Sequence, residues 1–243
     1  MKRMRNVVTI VATILVACRA APPVCPTPVP PPDQHARVIA ELTPLYKEAT
    51  ARKAAIARPG NLDDRAWVTR VLHDMAEVDQ LVRLRWNWPI EQKLDKPETD
   101  YFMVSMVYLA LDVDARNLAV LRRLVARHGW FAARDWGKAT EEDAWLLVQH
   151  ADTDPGFQRE MLTLMEPLVA TKDVDPEGYA LLFDRVARAE GRLQRYGTQG
   201  ECKDHRWIPF PVEDPPQLDR LRAQVGLSPM VEYVPQISPQ LCP

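Results

Sequence analysis

A small polar cluster near the middle of the chain contains the residue types that could carry out acid–base chemistry. Gln149 and His150 interrupt an otherwise apolar run, and Asp152 follows two residues later. An imidazole titrates near neutral pH, so His150 could act as a general acid or base. A carboxylate, from either Asp184 or Asp152, would orient the imidazole. The cluster is therefore a candidate catalytic site, with His150 and Asp184 as its catalytic residues.

Further polar side chains would hold a ligand beside this pair. Trp145, Gln149 and Asp152 are spaced at i, i+4 and i+7, so they share one face of a helix. Burying such polar groups without partners would cost about 1–3 kcal/mol each, so partners are expected. The candidate ligand-binding residues are Gln149, Asp152, Arg185, Tyr196, Thr198, Gln199, Asp79 and Gln80, and the pocket would be lined by Trp130, Trp136 and Trp145.

The same cluster could instead be a buried hydrogen-bond network that joins helices without doing chemistry. Pairing with a neighbouring helix is the simpler interpretation of Arg185. Asp79 and Arg83 are at i and i+4, which predicts a surface ion pair that contributes only a few tenths of a kcal/mol. The sequence leaves the structural and the functional interpretations open.

Familiar catalytic motifs are absent from the sequence. Its serines, Ser105, Ser228 and Ser238, never lie in a Gly-x-Ser-x-Gly motif. There is no His-Glu-x-x-His, and the nine glycines form neither a phosphate-binding loop nor a dinucleotide fingerprint. Cys202 and His205 have the spacing of only half a zinc site, whereas a full site needs four ligands. We therefore predict no cofactor and no metal.

The N-terminus has the pattern of a bacterial export signal. Three basic residues within the first five positions precede an apolar run at 7–17. As a helix this run would span about 16 Å, which is too short for a hydrocarbon core of about 30 Å. The run therefore predicts a signal peptide, residues 1–17. It ends in Leu-Val-Ala followed by Cys18, which resembles the lipobox of bacterial lipoproteins and implies that Cys18 is lipidated. An ordinary secretory signal, with Cys18 as an incidental thiol, is the alternative.

The residues after Cys18 predict how the protein is held in the envelope. Several acyl chains on Cys18 would anchor the protein stably at a membrane. Arg19 takes the place of the Asp that retains lipoproteins at the inner membrane, so by resemblance to sorted lipoproteins we expect the outer membrane, facing the periplasm. The proline-rich residues up to 33 predict an extended spacer. A proline motif that binds a partner is the alternative.

Composition limits the partners and suggests one covalent link. Without the three basic residues of the signal, 28 of the 31 Lys and Arg remain against 33 Asp and Glu. Such a mildly acidic chain lacks the basic surface that nucleic acid requires. The envelope is oxidising, so cysteines can pair there. Cys202 and Cys242 are the natural pair, and closing their loop of about 40 residues would stabilise the fold by about 3–4 kcal/mol. Cys25, in the spacer, would stay unpaired or join another chain.

The elements that must position these residues are mostly helices. Residues 34–243 form the predicted domain, with apolar residues recurring every three to four positions. Asn61 is predicted to cap the second helix and Gly129 to end the third. Predicted helices span about 34–57, 62–86, 98–127 and 140–152, and three more follow Asp-Pro pairs at 154, 175 and 214. A hairpin would pair 193–199 with 206–212 around Gly200. The predicted fold is a single multi-helix, mainly α domain with a small β-hairpin near the C-terminus.

From Asp79 onward, over approximately residues 75–235, the chain resembles an uncharacterised bacterial domain family of unknown function. The most specific shared strings are Gln-His-Ala-Asp at 149–152 and Tyr-Gly-Thr-Gln at 196–199. The resemblance implies no activity, because none is established for the family. We therefore expect a membrane-anchored envelope lipoprotein that binds an envelope protein or a small polar ligand, and we lean against an enzyme. A hydrolase or transferase using His150 and an Asp is the alternative, and a structural brace is a third possibility.

Overall fold

The computed structural model describes residues 35–56 and 60–242. The predicted signal peptide, Cys18 and the proline-rich spacer lie outside the described residues. Within what the sequence predicts as one domain, the described chain forms two compact units, an N-terminal unit up to 127 and a C-terminal unit from 128. The prediction of a mainly α fold with one small hairpin near the C-terminus is confirmed. None of the helices in the described ranges combines the length and the apolar composition needed to cross a bilayer.

The N-terminal unit is built from four helices, which are α1 (Ala36–Ile56), α2 (Arg65–Arg83), α3 (Trp88–Glu91) and α4 (Lys96–His128). The apolar stripe that predicts α2 is buried, as its period requires. The prediction that Asn61 caps α2 is wrong. The cap is Asp64, whose carboxylate accepts the backbone N–H groups of Ala66 and Trp67. Asn61 instead accepts the N–H of Asp63 in the turn before the helix.

The C-terminal unit contains six helices and two strands. They are α5 (Ala133–Trp136), α6 (Lys138–Gln149), α7 (Pro155–Val169), α8 (Pro176–Ala189), β1 (Gly200–Lys203), β2 (Arg206–Pro209), α9 (Leu218–Gln224) and α10 (Met230–Leu241). All three Asp-Pro pairs start helical structure as predicted, because each Asp accepts a backbone N–H of the first turn. The third pair begins a short 3-10 turn, Pro215–Gln217, which leads into α9. Gly129 has a positive φ of 71° just after α4, as expected of a glycine stop.

The hairpin forms, but not from the predicted first strand. Gly200 begins β1 opposite Pro209, and the two-residue turn is Asp204-His205, with both φ angles positive. Residues 193–199 are not part of the hairpin because buried side chains hold them as a loop. The carboxamide of Gln194 donates to the carbonyls of Gln199 (2.9 Å) and Phe210 (2.6 Å) and accepts the N–H of Gln199 (2.9 Å).

A covalent link joins the hairpin to the last helix. Cys202 of β1 and Cys242, just after α10, are the pair selected from the sequence, and they are disulfide-bonded with their Cα atoms 5.5 Å apart. The fully buried Trp207 of β2 packs against Leu241 and Cys242. The sulfur of Cys202 is thus engaged in the bond and is not a free thiolate for zinc.

Candidate functional site

Three helices of the C-terminal unit bring polar side chains to the turn between α6 and α7. We call Gln149, His150, Asp152, Gln158 and Arg185 the polar cluster. The first three end α6 and form the turn, and the other two reach it from α7 and α8. The Asp-Pro start of α7 fixes the far side of the turn, because its Asp caps the new helix. The cluster therefore depends on the local signals that end one helix and begin the next.

Asp152 is the anionic centre of the polar cluster. Nη1 of Arg185 lies 2.9 Å from each of its carboxylate oxygens. Gln158 Nε2 lies 3.3 Å from Oδ1 of Asp152 and also donates to the carbonyls of Val148 (3.0 Å) and Gln149 (3.2 Å). Burial acts to raise the pKa of Asp152, but attraction to Arg185 and to His150 outweighs it and holds the pKa below the usual range. Asp152 is thus kept ionised near neutral pH.

His150 is coupled to this carboxylate. Its side chain is buried, and its charge is one of the causes that lower the pKa of Asp152. Asp152, one of the two carboxylates that could orient the imidazole, therefore has an electrostatic link to His150. An ionised Asp beside a histidine stabilises the protonated imidazole, as acid–base chemistry requires. The role of His150 as an acid or base stays a prediction.

Gln149 differs from the rest of the polar cluster. It is 1% exposed, and within the described residues neither its Oε1 nor its Nε2 has a hydrogen-bond partner. Buried polar groups in native proteins are nearly always paired, and an unpaired one costs about 1–3 kcal/mol. The backbone carbonyl of Gln149 is satisfied by Gln158, but its side chain is not. The fold therefore bears a cost at Gln149 that its own contacts do not offset.

Asp184 organises a loop instead of facing the polar cluster. It is fully buried and accepts the N–H groups of Arg195 (2.7 Å), Tyr196 (3.0 Å) and Thr198 (2.9 Å), together with the hydroxyl of Thr198 (2.9 Å). Burial raises the pKa of Asp184, and these hydrogen bonds oppose the rise. Gly197 supplies the positive φ (63°) that the turn needs. Asp184 and Arg185 are consecutive on α8, but Asp184 binds the loop at 195–198 whereas Arg185 binds Asp152 in the polar cluster.

The candidates Tyr196, Thr198 and Gln199 lie together in this loop. Gln199 Nε2 is 3.3 Å from the hydroxyl of Thr198. From the other side, Nη1 of the fully buried Arg222 donates to the carbonyl of Tyr196 (2.6 Å). These contacts give the Tyr-Gly-Thr-Gln string a structural role. A ligand-binding role for the same residues stays a prediction.

Asp79 and Gln80 lie in the N-terminal unit. Asp79 is fully buried and Arg83 is 3% exposed, so the prediction of a surface ion pair is wrong. Arg83 Nη1 is 2.5 Å from Asp79 Oδ1, and its Nη2 lies 2.9 Å from a carboxylate oxygen of Asp114 on α4. Gln80 donates to the other oxygen of Asp79 (2.9 Å). The pair is buried because this face of α2 packs against α4, which the i, i+4 spacing could not reveal.

The tryptophans predicted to line a pocket have structural contacts. Trp145 donates its indole N–H to the carbonyl of Gly178 at 2.8 Å, which fastens α6 to the first turn of α8. Trp136 packs edge-on against Phe131 and His128, with ring centroids 5.1 Å and 5.0 Å apart. Trp130 is buried, and its indole nitrogen lacks a hydrogen-bond partner among the described residues.

Gln158 and Glu141 are among the buried polar residues of the C-terminal unit that sequence reasoning missed. Gln158 is a glutamine on an amphipathic helix, and no local signal marks it as a partner for the turn. Glu141 lies in the first turn of α6, in the string Thr-Glu-Glu-Asp, which resembles a solvated turn, yet it is 1% exposed. Burial, together with the nearby charge of Asp175, raises its pKa to about 7. Only the packing of α6 against α8 explains this environment.

The comparisons with known proteins identify a family but no activity. A family described as a family of unknown function, DUF6624, matches residues 67–239. The match confirms that this part of the chain is an uncharacterised domain, as the resemblance implied. No curated protein and no solved structure matches the chain. Residues 35–56 and 60–242 contain no group of three or more His, Cys, Asp and Glu side chains placed to hold a metal ion.

Proposed function

We propose that this chain, which belongs to the DUF6624 family of unknown function, is a lipid-anchored binding protein of the bacterial envelope. The basic start, the short apolar run and Cys18 support export and anchoring. The disulfide between Cys202 and Cys242 supports an oxidising compartment, since such bonds persist there and are rare in the cytosol. The outer membrane, facing the periplasm, is the proposed location.

The proposed ligand site is the polar cluster, and the observation that carries it is the unpaired carboxamide of Gln149. A side chain that costs stability is retained when function needs it, because selection tolerates such costs at functional sites. A carboxamide presents a donor and an acceptor side by side. Asp152 and Arg185 add a fixed pair of charges nearby. The site therefore suits a small polar ligand or an envelope protein that presents polar groups.

Because the carboxamide of Gln149 is buried, a ligand reaches it only after a local opening, which we place at the turn between α6 and α7. The proposal therefore includes an opening of residues 150–154. Binding would pair the carboxamide and so offset the cost that the ligand-free fold bears. Ligand binding to the native state should in turn raise the thermal stability of the protein.

The second candidate function is a hydrolase or transferase, and the link between His150 and Asp152 favours it. In this alternative the imidazole is the general base or acid, and Asp152 stabilises its protonated form. Turnover of an envelope substrate that disappears in His150→Ala would establish the enzyme. Saturable binding without turnover would establish the binding protein.

Two experiments test the proposed function. For the anchor, the full chain is expressed in a Gram-negative host fed an alkyne-tagged fatty acid. We expect the label in the parent and in the matched control Cys25→Ala but not in Cys18→Ala. Label retained in Cys18→Ala would overturn the anchor.

For the ligand site, the mature protein in detergent is screened by thermal unfolding against muropeptides, amino acids, sugars and polyamines. A ligand that raises the unfolding temperature of the parent and not that of Gln149→Met supports the site. A ligand that stabilises both proteins equally would place binding elsewhere.

A further inference from the structure

A series of contacts in the C-terminal unit links α6 to the first turn of α8. Glu141 is buried on the same face of α6 as Trp145, and the charge and backbone N–H of Asp175, the N-cap of α8, both act on its carboxyl group. Asp175 accepts the N–H of Gly178 at 3.2 Å. The carbonyl of Gly178 accepts the indole N–H of Trp145, one helical turn after Glu141, at 2.8 Å. We call these four residues the α6–α8 latch.

The α6–α8 latch is tightly packed at Gly178. A Cβ atom added there would lie 3.0 Å from the indole nitrogen of Trp145. Glycine thus lets the first turn of α8 approach the indole closely enough for the hydrogen bond. A hydrogen bond weakens steeply as its geometry departs from the optimum. A small shift of this turn would therefore break the Trp145–Gly178 bond.

Glu141 is the member of the α6–α8 latch whose ionised form has an unfavourable environment. It is 1% exposed, and its Oε1 has no hydrogen-bond partner among the described residues. Burial is the largest cause that disfavours a charge on Glu141, and the acidic groups Asp175 on α8 and Glu142 on α6 add to it by repulsion. Lys138 on α6 and the backbone N–H of Asp175 act in the opposite direction. The balance disfavours the ionised form, because a buried charge without full pairing is costly.

We propose that the proton on Glu141 operates the α6–α8 latch, which is closed when Glu141 is neutral and loosened when Glu141 is ionised. The ionised carboxylate would be relieved by water, which enters only if the first turn of α8 moves away from α6. That movement would break the Trp145–Gly178 bond. Gln149 and His150 lie at the other end of α6, so loosening of the latch would also change the ligand site. That pH response of the ligand site rests on the proposed function. The latch itself does not rest on it.

The direction of the pH effect follows from the protonation equilibrium. Burial raises the pKa of Glu141 from 4.5 to about 7 in the folded protein. A carboxyl group with a raised pKa contributes its full stability below the unfolded value, and loses that contribution as pH rises through the folded value. The latch should therefore be closed in mildly acidic conditions and loosen as the pH rises through about 7.

Hydrogen exchange of the mature, 15N-labelled protein in detergent tests the latch directly. The two reporters are the indole N–H of Trp145 and the amide N–H of Gly178. After correction for intrinsic exchange, we expect their protection to fall by about tenfold or more between about pH 5.5 and about pH 8.5. Protection that does not change with pH would overturn the proposal.

Two matched variants assign the response to Glu141. Glu141→Gln keeps the shape and removes the ionisation, so we expect high protection at both pH values. Glu142→Gln changes the neighbouring residue, which is largely exposed and pairs with Lys138 at 2.9 Å, so the pH response should remain. A pH response retained in Glu141→Gln would overturn the proposal.

A 13C titration of the Glu141 carboxyl in the unmodified protein needs no variant. A midpoint close to 7 supports the latch. A midpoint below about 5 would overturn it, because Glu141 would then titrate as an ordinary carboxyl group. Since none of these readouts involves a ligand, a failure of the latch is distinguishable from a failure of the proposed function.

Discussion

Replacing Asp184 by Asn should destabilise the C-terminal unit substantially. One oxygen of Asp184 accepts the N–H groups of Arg195 and Tyr196, and the other accepts the N–H and the hydroxyl of Thr198. Asparagine retains one oxygen, but its NH2 group would meet the backbone N–H of Thr198, donor against donor. Hydrogen bonds to a charged group contribute about 1.5–3 kcal/mol each, and a buried donor left unpaired adds to the loss. We therefore expect Asp184→Asn to lower the free energy of unfolding by about 2–4 kcal/mol.

The assay is urea unfolding of the mature protein in detergent at neutral pH, with a matched aspartate as the control. Asp219 accepts one backbone N–H, from Met230 at 2.9 Å, in an exposed setting. Asp219→Asn should therefore cost less than about 1 kcal/mol. Hydrogen exchange should also accelerate at residues 195–198 in Asp184→Asn.

Equal losses in the two variants would refute the reasoning, as would a loss of less than about 0.5 kcal/mol in Asp184→Asn. The measurement also bears on the sequence-based prediction that Asp184 is catalytic. A catalytic role without a structural one would leave the free energy of unfolding unchanged and abolish turnover. The geometry predicts the opposite for stability.

Three further predictions concern stability and are checked by thermal or urea unfolding. Arg83→Met removes the cation that pairs with the buried Asp79 and the partly buried Asp114 and should cost about 3–5 kcal/mol, whereas the exposed control Lys96→Met should cost less than about 0.5 kcal/mol. Replacing Cys202 and Cys242 together by Ser opens a loop of 40 residues and should cost about 3–4 kcal/mol; no change would mean that the bond does not constrain the unfolded chain. His205 has a positive φ of 57°, so His205→Gly should stabilise the protein by about 0.5–1 kcal/mol, and destabilisation would show that its side chain matters more than its backbone.

The parts of the fold that local chemistry determines could be predicted from the sequence. The Asp-Pro starts and the glycine stop were predictable because a cap depends on residues within one turn. The first strand of the hairpin was not, because the buried side chains of Gln194 and Asp184 hold 193–199 as a loop through contacts that span 16 and 14 residues of the chain. α10 was not predicted either, since Pro235 and Pro239 lie inside it and proline normally argues against a helix.

The sequence identified residues of the candidate site better than it identified the contacts between them. Asp152 and Arg185 were both candidates, but spacing alone could not show that they bond to each other instead of to a ligand. The burial of Asp79 and Arg83 depends on which face of α2 meets α4, and a helical period does not identify the partner helix. No sequence pattern marks Gln158, because its side chain donates to carbonyls at the end of α6, a helix other than its own.

The central claim is that Gln149 is kept for a ligand at a cost to the fold, and two methionine variants test it. Gln149→Met removes an unpaired buried carboxamide, so the free energy of unfolding should stay the same or rise. Gln158→Met, the matched control, removes a side chain that donates to two carbonyls and to Asp152 and should cost about 2–3 kcal/mol. A loss of about 1–3 kcal/mol in Gln149→Met, similar to that of the control, would contradict the account and identify Gln149 as part of a satisfied structural network.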